Sequence, residues 1–287
     1  MPRMLIKPFR LILPLILAFA AQLATAAPFA LVTILQGDAT LLRDTGKFQI
    51  AEGVALKPED IVELSTKALL LRIEYADGTS LTLGTGSRVL IAPRLGGDRA
   101  KTRAYVMAGW AKFSLAPGAE GTLASSLADL SGKGSRGVLG LSPGRAQVFA
   151  EAGEWQVRHG GGGAIEMKGG DFVTVPATGK PETASRPSAE FIQALPRPFM
   201  DTLPARAKLF AGKEVQPKSV GMIRYADAQD WLTVPEVSLR RAELSRWRSL
   251  ARGAEFRKDL IDKLSSHPEW GPILFPPLPA SAARAAN

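Results

Sequence analysis

The chain contains no cysteine. That removes disulfide staples, thiol nucleophiles and thiolate metal sites together, so any stable fold rests on an ordinary hydrophobic core. Histidine is nearly absent: His159 and His267 are the only two, far apart in sequence. No Cys, His or carboxylate cluster has metal-ligand spacing, and histidine-based acid–base chemistry has little to draw on. No phosphate-binding loop is present, because the Gly-Lys pairs at Gly132, Gly179 and Gly212 lack a following Ser or Thr in the right frame. No recognition helix or aromatic stacking platform for nucleic acid is visible. The longest apolar run, Leu11 to Leu23, falls short of the ~20 residues that span a bilayer and is interrupted by Pro14.

That run has a different use. Arg3, Lys7 and Arg10 precede it, and Ala24-Thr25-Ala26 follows as a small-x-small motif. This is the pattern of a secretory signal peptide over residues 1–26, with cleavage expected between Ala26 and Ala27. The mature protein is then expected in the periplasm; the leader alone does not separate that from full secretion. Removing the three leader cations from the net charge of +9 leaves about +6, mildly basic and suited to an anionic partner.

The remaining composition changes near residue 180. Before it, short β-rich runs alternate with glycine turns. Phe29–Leu35, Ala39–Arg43, Leu69–Tyr75, Thr79–Leu83, Val89–Ala92, Tyr105–Ala108, Ala111–Leu115, Gly137–Leu141, Ala146–Ala150, Glu154–His159, Ala164–Lys168 and Asp171–Val175 read as strands. In the hairpin around Asp77-Gly78, a two-residue loop would place Ile73 opposite Thr82 on a mixed face. A three-residue loop with Gly78 left-handed places Ile73 opposite Leu81 and Leu71 opposite Leu83, giving one apolar face with Leu69 and Tyr75. The stretch Val175 to Ser188 lacks apolar periodicity and is rich in Pro, Ser and Thr, so a linker is expected at 179–188.

Residues 189–279 read as a small helical domain. A short helix is expected from Thr202-Leu203-Pro204 to Gly212. Thr233-Val234-Pro235-Glu236 fits a capping box with Thr233 as N-cap. The helix behind it places Leu239, Leu244, Trp247, Leu250 and Ala251 in one arc, with Arg241, Arg248 and Arg252 on its flank. A further helix, Ala254 to Leu264, stacks Phe256, Leu260 and Leu264. The proline-rich tail is expected to pack Trp270, Ile273 and Phe275 back on these helices, with 280–287 frayed.

Several segments of the β-rich part together resemble the FecR domain, a β-rich module of Gram-negative bacteria. They are Gln36-Gly37-Asp38-Ala39-Thr40, IAEGVALKPEDIVELSTKA, DGTSLTLGTGSRVLI, and YVMAGWAKFSL, read as a strand pair about a glycine turn. Looser matches continue through GVLGLSPGRAQVFAEAGEWQV and MKGGDFVTV. Pro58-Glu59-Asp60 stands where the family pattern has Gly-Asp. The resemblance covers roughly residues 30–178 and implies a mainly β domain of many short strands, a sandwich or solenoid-like stack, over 27–178. The best-known relatives are inner-membrane anti-sigma regulators with a cytoplasmic helical domain. Here the export signal abuts the first strand, so that role is not carried over. The ending of the chain is similar to a C-terminal extension found on exported proteins of this kind.

Tests for chemistry are negative. Gly140-Leu141-Ser142-Pro143-Gly144 matches GxSxG, but Pro143 has no N–H to give an oxyanion, so a β-turn is expected. The carboxylates Glu59, Asp60, Asp77 and Asp171 show no pattern of their own beyond turn positions. The residues favour a non-enzymatic binding or regulatory protein without a cofactor, its partner an envelope or inner-membrane protein. A binder of cell-wall polysaccharide or peptidoglycan is the alternative, and an unrecognised envelope hydrolase a second. The candidate partner surface comprises Arg241, Arg248 and Arg252, with Trp110 and Trp155 as aromatics that could stack on sugar or peptide.

Overall fold

The structure, a computed structural model, describes residues 28–276 apart from Gly161 and Glu214. The leader with Ala26 and Ala27, and the tail from 277, lie outside the described residues. Among the described residues no helix is long and apolar enough to cross a membrane.

The fold is mainly β: among the described residues, one curled sheet of eighteen strands doubles over into two facing layers. The first layer runs β4 (Ala55–Leu56), β1 (Ala30–Gln36), β6 (Leu70–Tyr75), β7 (Ser80–Gly84), the second half of β9 (Thr102–Ser114), β12 (Arg136–Ser142), β13 (Arg145–Ala152), β16 (Phe172–Pro176) and β17 (Glu182–Ala184). The second runs β18 (Lys218–Met222), β3 (Gly46–Gln49), β2 (Ala39–Arg43), β5 (Ile61–Leu64), β8 (Arg88–Ile91), the first half of β9, β10 (Glu120–Ser125), β11 (Ala128–Lys133), β14 (Glu154–His159) and β15 (Ala164–Lys168). Among the described residues every strand pair is antiparallel except β9–β10.

β9 joins the layers. Its Thr102–Ala108 portion pairs with β8 and β10, and Gly109–Ser114 pairs with β7 and β12. The segment expected as two strands about a glycine turn is therefore a single bent strand. Gly109 makes the bend with φ +86°, and an added Cβ there would lie 2.6 Å from the Ser87 Cα. The Ser87 hydroxyl oxygen accepts from the Trp110 N–H at 2.8 Å and fixes the crossing. The hairpin registers Ile73 with Leu81 and Leu71 with Leu83, with Gly78 at φ +84°, as its apolar face requires. Leu69 departs from that face and is exposed, because β6 begins one residue later.

The core between the layers takes Leu41, Val62, Val89, Ala104 and Leu123 from the second layer against Val32, Leu71, Ile73, Leu83, Phe113 and Val148 from the first. The next residue or its neighbour on each second-layer strand, namely Leu42, Ile61, Leu90, Tyr105 and Ala124, points outward and is also buried. An apolar outer face in water would be costly, so something has to cover it. Helices do: α2 (Tyr225–Leu232), α3 (Val237–Trp247), α4 (Ala254–Asp262) and α5 (Gly271–Leu274) bring Trp231, Leu239, Trp247, Phe256, Leu260 and Leu274 onto it, with Trp270 from the 3-10 turn Pro268–Trp270 before α5. α1 (Ala189–Ala194) and the turn Arg197–Met200 go instead to the outer face of the first layer, where Phe191 and Phe199 meet Val138 and Phe172.

The helical stretch expected as one unit over 189–279 is thus divided between the two outer faces and has no core separate from the sheet. Within the expected linker, Glu182–Ala184 adds an edge strand to β16. The chain crosses between the layers along 201–213, where a 3-10 turn at Ala207–Phe210 replaces the short helix expected there. It is fastened by Glu74, whose buried carboxylate accepts from the Arg206 and Ala207 N–H groups at 2.9 and 3.1 Å, Thr33 Oγ1 at 2.9 Å and Arg72 Nε at 3.2 Å. α3 starts three residues later than its capping box predicts. Thr233 closes α2, its hydroxyl donating to the Gln229 carbonyl, and Glu236 is the N-cap, its carboxylate accepting from the Ser238 N–H and hydroxyl. In the tail, Trp270 and Leu274 fill the buried places and Phe275 is exposed, contrary to expectation.

Candidate functional site

α3 has two flanks of different character. On the inner one, Arg246 donates to the Leu42 carbonyl at 2.9 Å and pairs with Glu243 at 3.3 Å. Trp247 Nε1 donates to the Asp44 carbonyl, and Arg240 pairs with Glu269 at 2.7 Å. On the outer one, Arg241, Arg248 and Arg252 are exposed, their guanidinium groups making no hydrogen bond or ion pair to any described residue. Spacings of seven and four keep them near one line along α3 and the turn Leu250–Arg252 that follows. Ser245 lies exposed between the first two. Three guanidinium groups, each with five donors and no internal acceptor, form a surface suited to carboxylate or phosphate oxygens.

The two tryptophans do not join them. Trp155 is 1 % exposed: its ring lies over Gly132 and Gly137 beside Phe113, and its Nε1 donates to the Arg136 carbonyl at 3.2 Å. It is a core residue, and its place in the expected partner surface is corrected, since a side chain sealed between two layers cannot stack on a ligand. Trp110 is half-buried beneath α1, 5.3 Å from the Phe191 ring. The β-propensity of both segments was readable; which of them α1 would cover was not.

The GxSxG segment is the β12–β13 hairpin: Ser142 pairs with Arg145, and Pro143-Gly144 turns with Gly144 at φ +74°. His267 is fully buried, its Nε2 3.0 Å from the Tyr225 hydroxyl, and burial lowers its pKa. Among the described residues no three His, Asp or Glu gather in a group able to hold a metal.

A second polar locus emerges only in three dimensions. The outer-face row Leu42, Ile61, Leu90, Tyr105 and Ala124 runs across the second layer through successive strand pairs. Beyond Ala124 it turns polar at Asp129, which is registered with Arg158. There the helical cover ends, and a cleft of about 300 Å³ opens among Arg99, the Ser125–Leu127 turn, Asp129, Arg158, His159 and Pro235-Glu236. Arg99 is clasped by both acids, with Nε and Nη2 at 2.9 and 3.1 Å from the two Asp129 oxygens and Nη1 on Glu236. Burial raises the Asp129 pKa against the pull of Arg99. Burial also pushes Glu236 upward, but hydrogen bonds from Ser238 and Arg99 outweigh it and hold that carboxyl below its usual value. No spacing in the sequence links these residues, which come from four separate segments.

No protein-family model matches the chain, and no curated protein matches it. Two solved structures share part of its shape, both described as "a putative anti-sigma factor" from Parabacteroides distasonis. Each is 14% identical, with TM-scores of 0.38 and 0.39, over 46% of this chain and 62% of the solved one. The match thus spans less than two thirds of those chains.

Proposed function

We propose that the chain is a non-enzymatic binding or regulatory protein of the cell envelope, FecR-like in its sheet, which recruits an acidic surface of an envelope or inner-membrane protein through Arg241, Arg248 and Arg252. The observation that carries this reading is the contrast across α3. The inward arginines are consumed by the fold, whereas these three face water with no acceptor among the described residues. Solvent-facing charges contribute little to stability but much to the rate and selectivity of association. The motif-bearing leader supports export, and the turn geometry at Ser142-Pro143 supports a role without nucleophilic catalysis.

The test is crosslinking in intact cells, followed by identification of what is captured. Reversal of all three charges (R241E, R248E, R252E) is expected to abolish capture of the principal membrane partner while the purified variant keeps its thermal midpoint. Undiminished capture by the folded triple variant would refute the assignment. Sequencing the N-terminus of the mature chain, expected to begin at Ala27, checks the location independently.

A further inference from the structure

The cleft at the polar end of the outer-face row is independent of the arginine face and has its own chemistry. Its lining carries two cations, Arg99 and Arg158, and two anions, Asp129 and Glu236. The charges balance, so neither an anion nor a cation is favoured: either one would meet a like charge within the same small space.

The polar groups hold one another in place. Arg99 is locked between Asp129 and Glu236, and the second Glu236 oxygen is fixed by the Ser238 hydroxyl at 2.7 Å. Each carboxylate keeps unused acceptor capacity beyond the bonds it makes. One donor beside them is unmet. Arg158 Nε is buried without a hydrogen-bond partner. Arg158 is the movable member, a third exposed and held by Asp98, itself 86% exposed, at 3.2 Å. Leu127 and Pro235 supply an apolar wall.

We propose that this cleft binds a neutral polyhydroxyl ligand, one sugar ring of a glycan. Vicinal hydroxyls donate and accept at close spacing without net charge, so they can satisfy the fixed carboxylates and the Arg158 guanidinium together. The C–H face of such a ring fits the Leu127–Pro235 wall. The volume is at the lower end of small-molecule sites, enough for a single ring, and the open mouth leaves room for the rest of a chain.

The test is saturation-transfer NMR on the full mature chain with a panel of neutral monosaccharides: D-glucose, D-galactose, D-mannose and N-acetyl-D-glucosamine. Acetate, read in the same way, and inorganic phosphate, followed by 31P line broadening, form the ionic arm. Transfer to at least one sugar is expected, weakened about tenfold or more in Arg158→Ala and in Asp129→Asn, and unchanged in R241E. Arg158→Ala removes a side chain held by one exposed partner, and Asp129→Asn is isosteric; the thermal midpoint of each confirms that it is folded. No transfer to any sugar of the panel, transfer indifferent to both substitutions, or a cleft response to acetate or phosphate instead of sugar would each overturn the proposal. Partner capture through the arginine face is read in a different assay, so the two readings fail separately.

Discussion

Glu243 offers a quantitative check on how the helices are seated. It lies on α3 facing the sheet, 2% exposed, with Arg246 at 3.3 Å as its one cation. Arg246 also donates to the Leu42 carbonyl and lies over the Trp247 ring, so its charge is shared. Burial therefore prevails over the Arg246 attraction, the negative field of Glu59 adds to it, and the Glu243 carboxyl is raised from 4.5 to about 7. The unfolded chain releases this proton near pH 4.5, whereas the folded chain holds it to about pH 7. Between those values the native state binds more protons, so stability falls as pH rises, and the loss is complete above pH 7. About 2.5 pH units at ~1.4 kcal/mol each gives roughly 3 kcal/mol. Glu243→Gln imitates the protonated acid. It is expected to match the wild type at pH 4 and to be about 3 kcal/mol more stable at pH 8, equivalent to about 6–12 °C in a domain of this size. Urea unfolding of both proteins at the two pH values measures it. A variant less stable than wild type at pH 8 would show that the ion pair with Arg246 outweighs desolvation, and the reasoning would fail.

Glu74 behaves in the opposite sense. Burial works to raise its carboxyl, but the Arg206 and Ala207 N–H groups, Thr33 and Arg72 together hold it below the ordinary value, so its contribution is full at neutral pH and is lost as pH falls through the folded value. Glu74→Gln is expected to cost about 2–3 kcal/mol at pH 7 and less at pH 3, with earlier proteolysis within 201–213 as the local readout. Gly109→Ala forces φ +86° on a residue with a Cβ and drives that atom toward the Ser87 backbone; a loss of at least about 1–3 kcal/mol in urea unfolding is expected.

The strand content was legible because alternation and glycine turns are local. The β6–β7 register followed from demanding one apolar face. β3, β4, β5, β10, β11, β17 and β18 were missed, β5 and β10 for a related reason: with helices or the other layer over each side, Ile61-Val62 and Leu123-Ala124 are buried on both faces, and alternation disappears. Gly109 misled because a left-handed glycine between two strands ordinarily marks a turn, and only the pairing partners distinguish a turn from a bend in one strand. The arginine flank of α3 was readable from helical spacing. The cleft was not, since Arg99, Asp129, Arg158 and Glu236 meet only through strand register and the path of the chain back over the second layer.

That path links architecture to site. The second layer is built with an outer row that is apolar from Leu42 to Ala124 and charged from Asp129 to Arg158. The helices bury the first portion, each large side chain they seal contributing about 1.5–3 kcal/mol. They stop where covering the row would mean desolvating an ion-pair cluster, for which the Coulomb gain seldom compensates. The segment between α2 and α3, Thr233 to Glu236, stands at this boundary. Glu236 both caps α3 and clasps Arg99, so the start of the helix and the wall of the cleft are set by one carboxylate. A cleft at the margin of a helical cover is therefore a consequence of where the sheet changes from apolar to charged. Its position is fixed by the same residues that decide how far the helices extend.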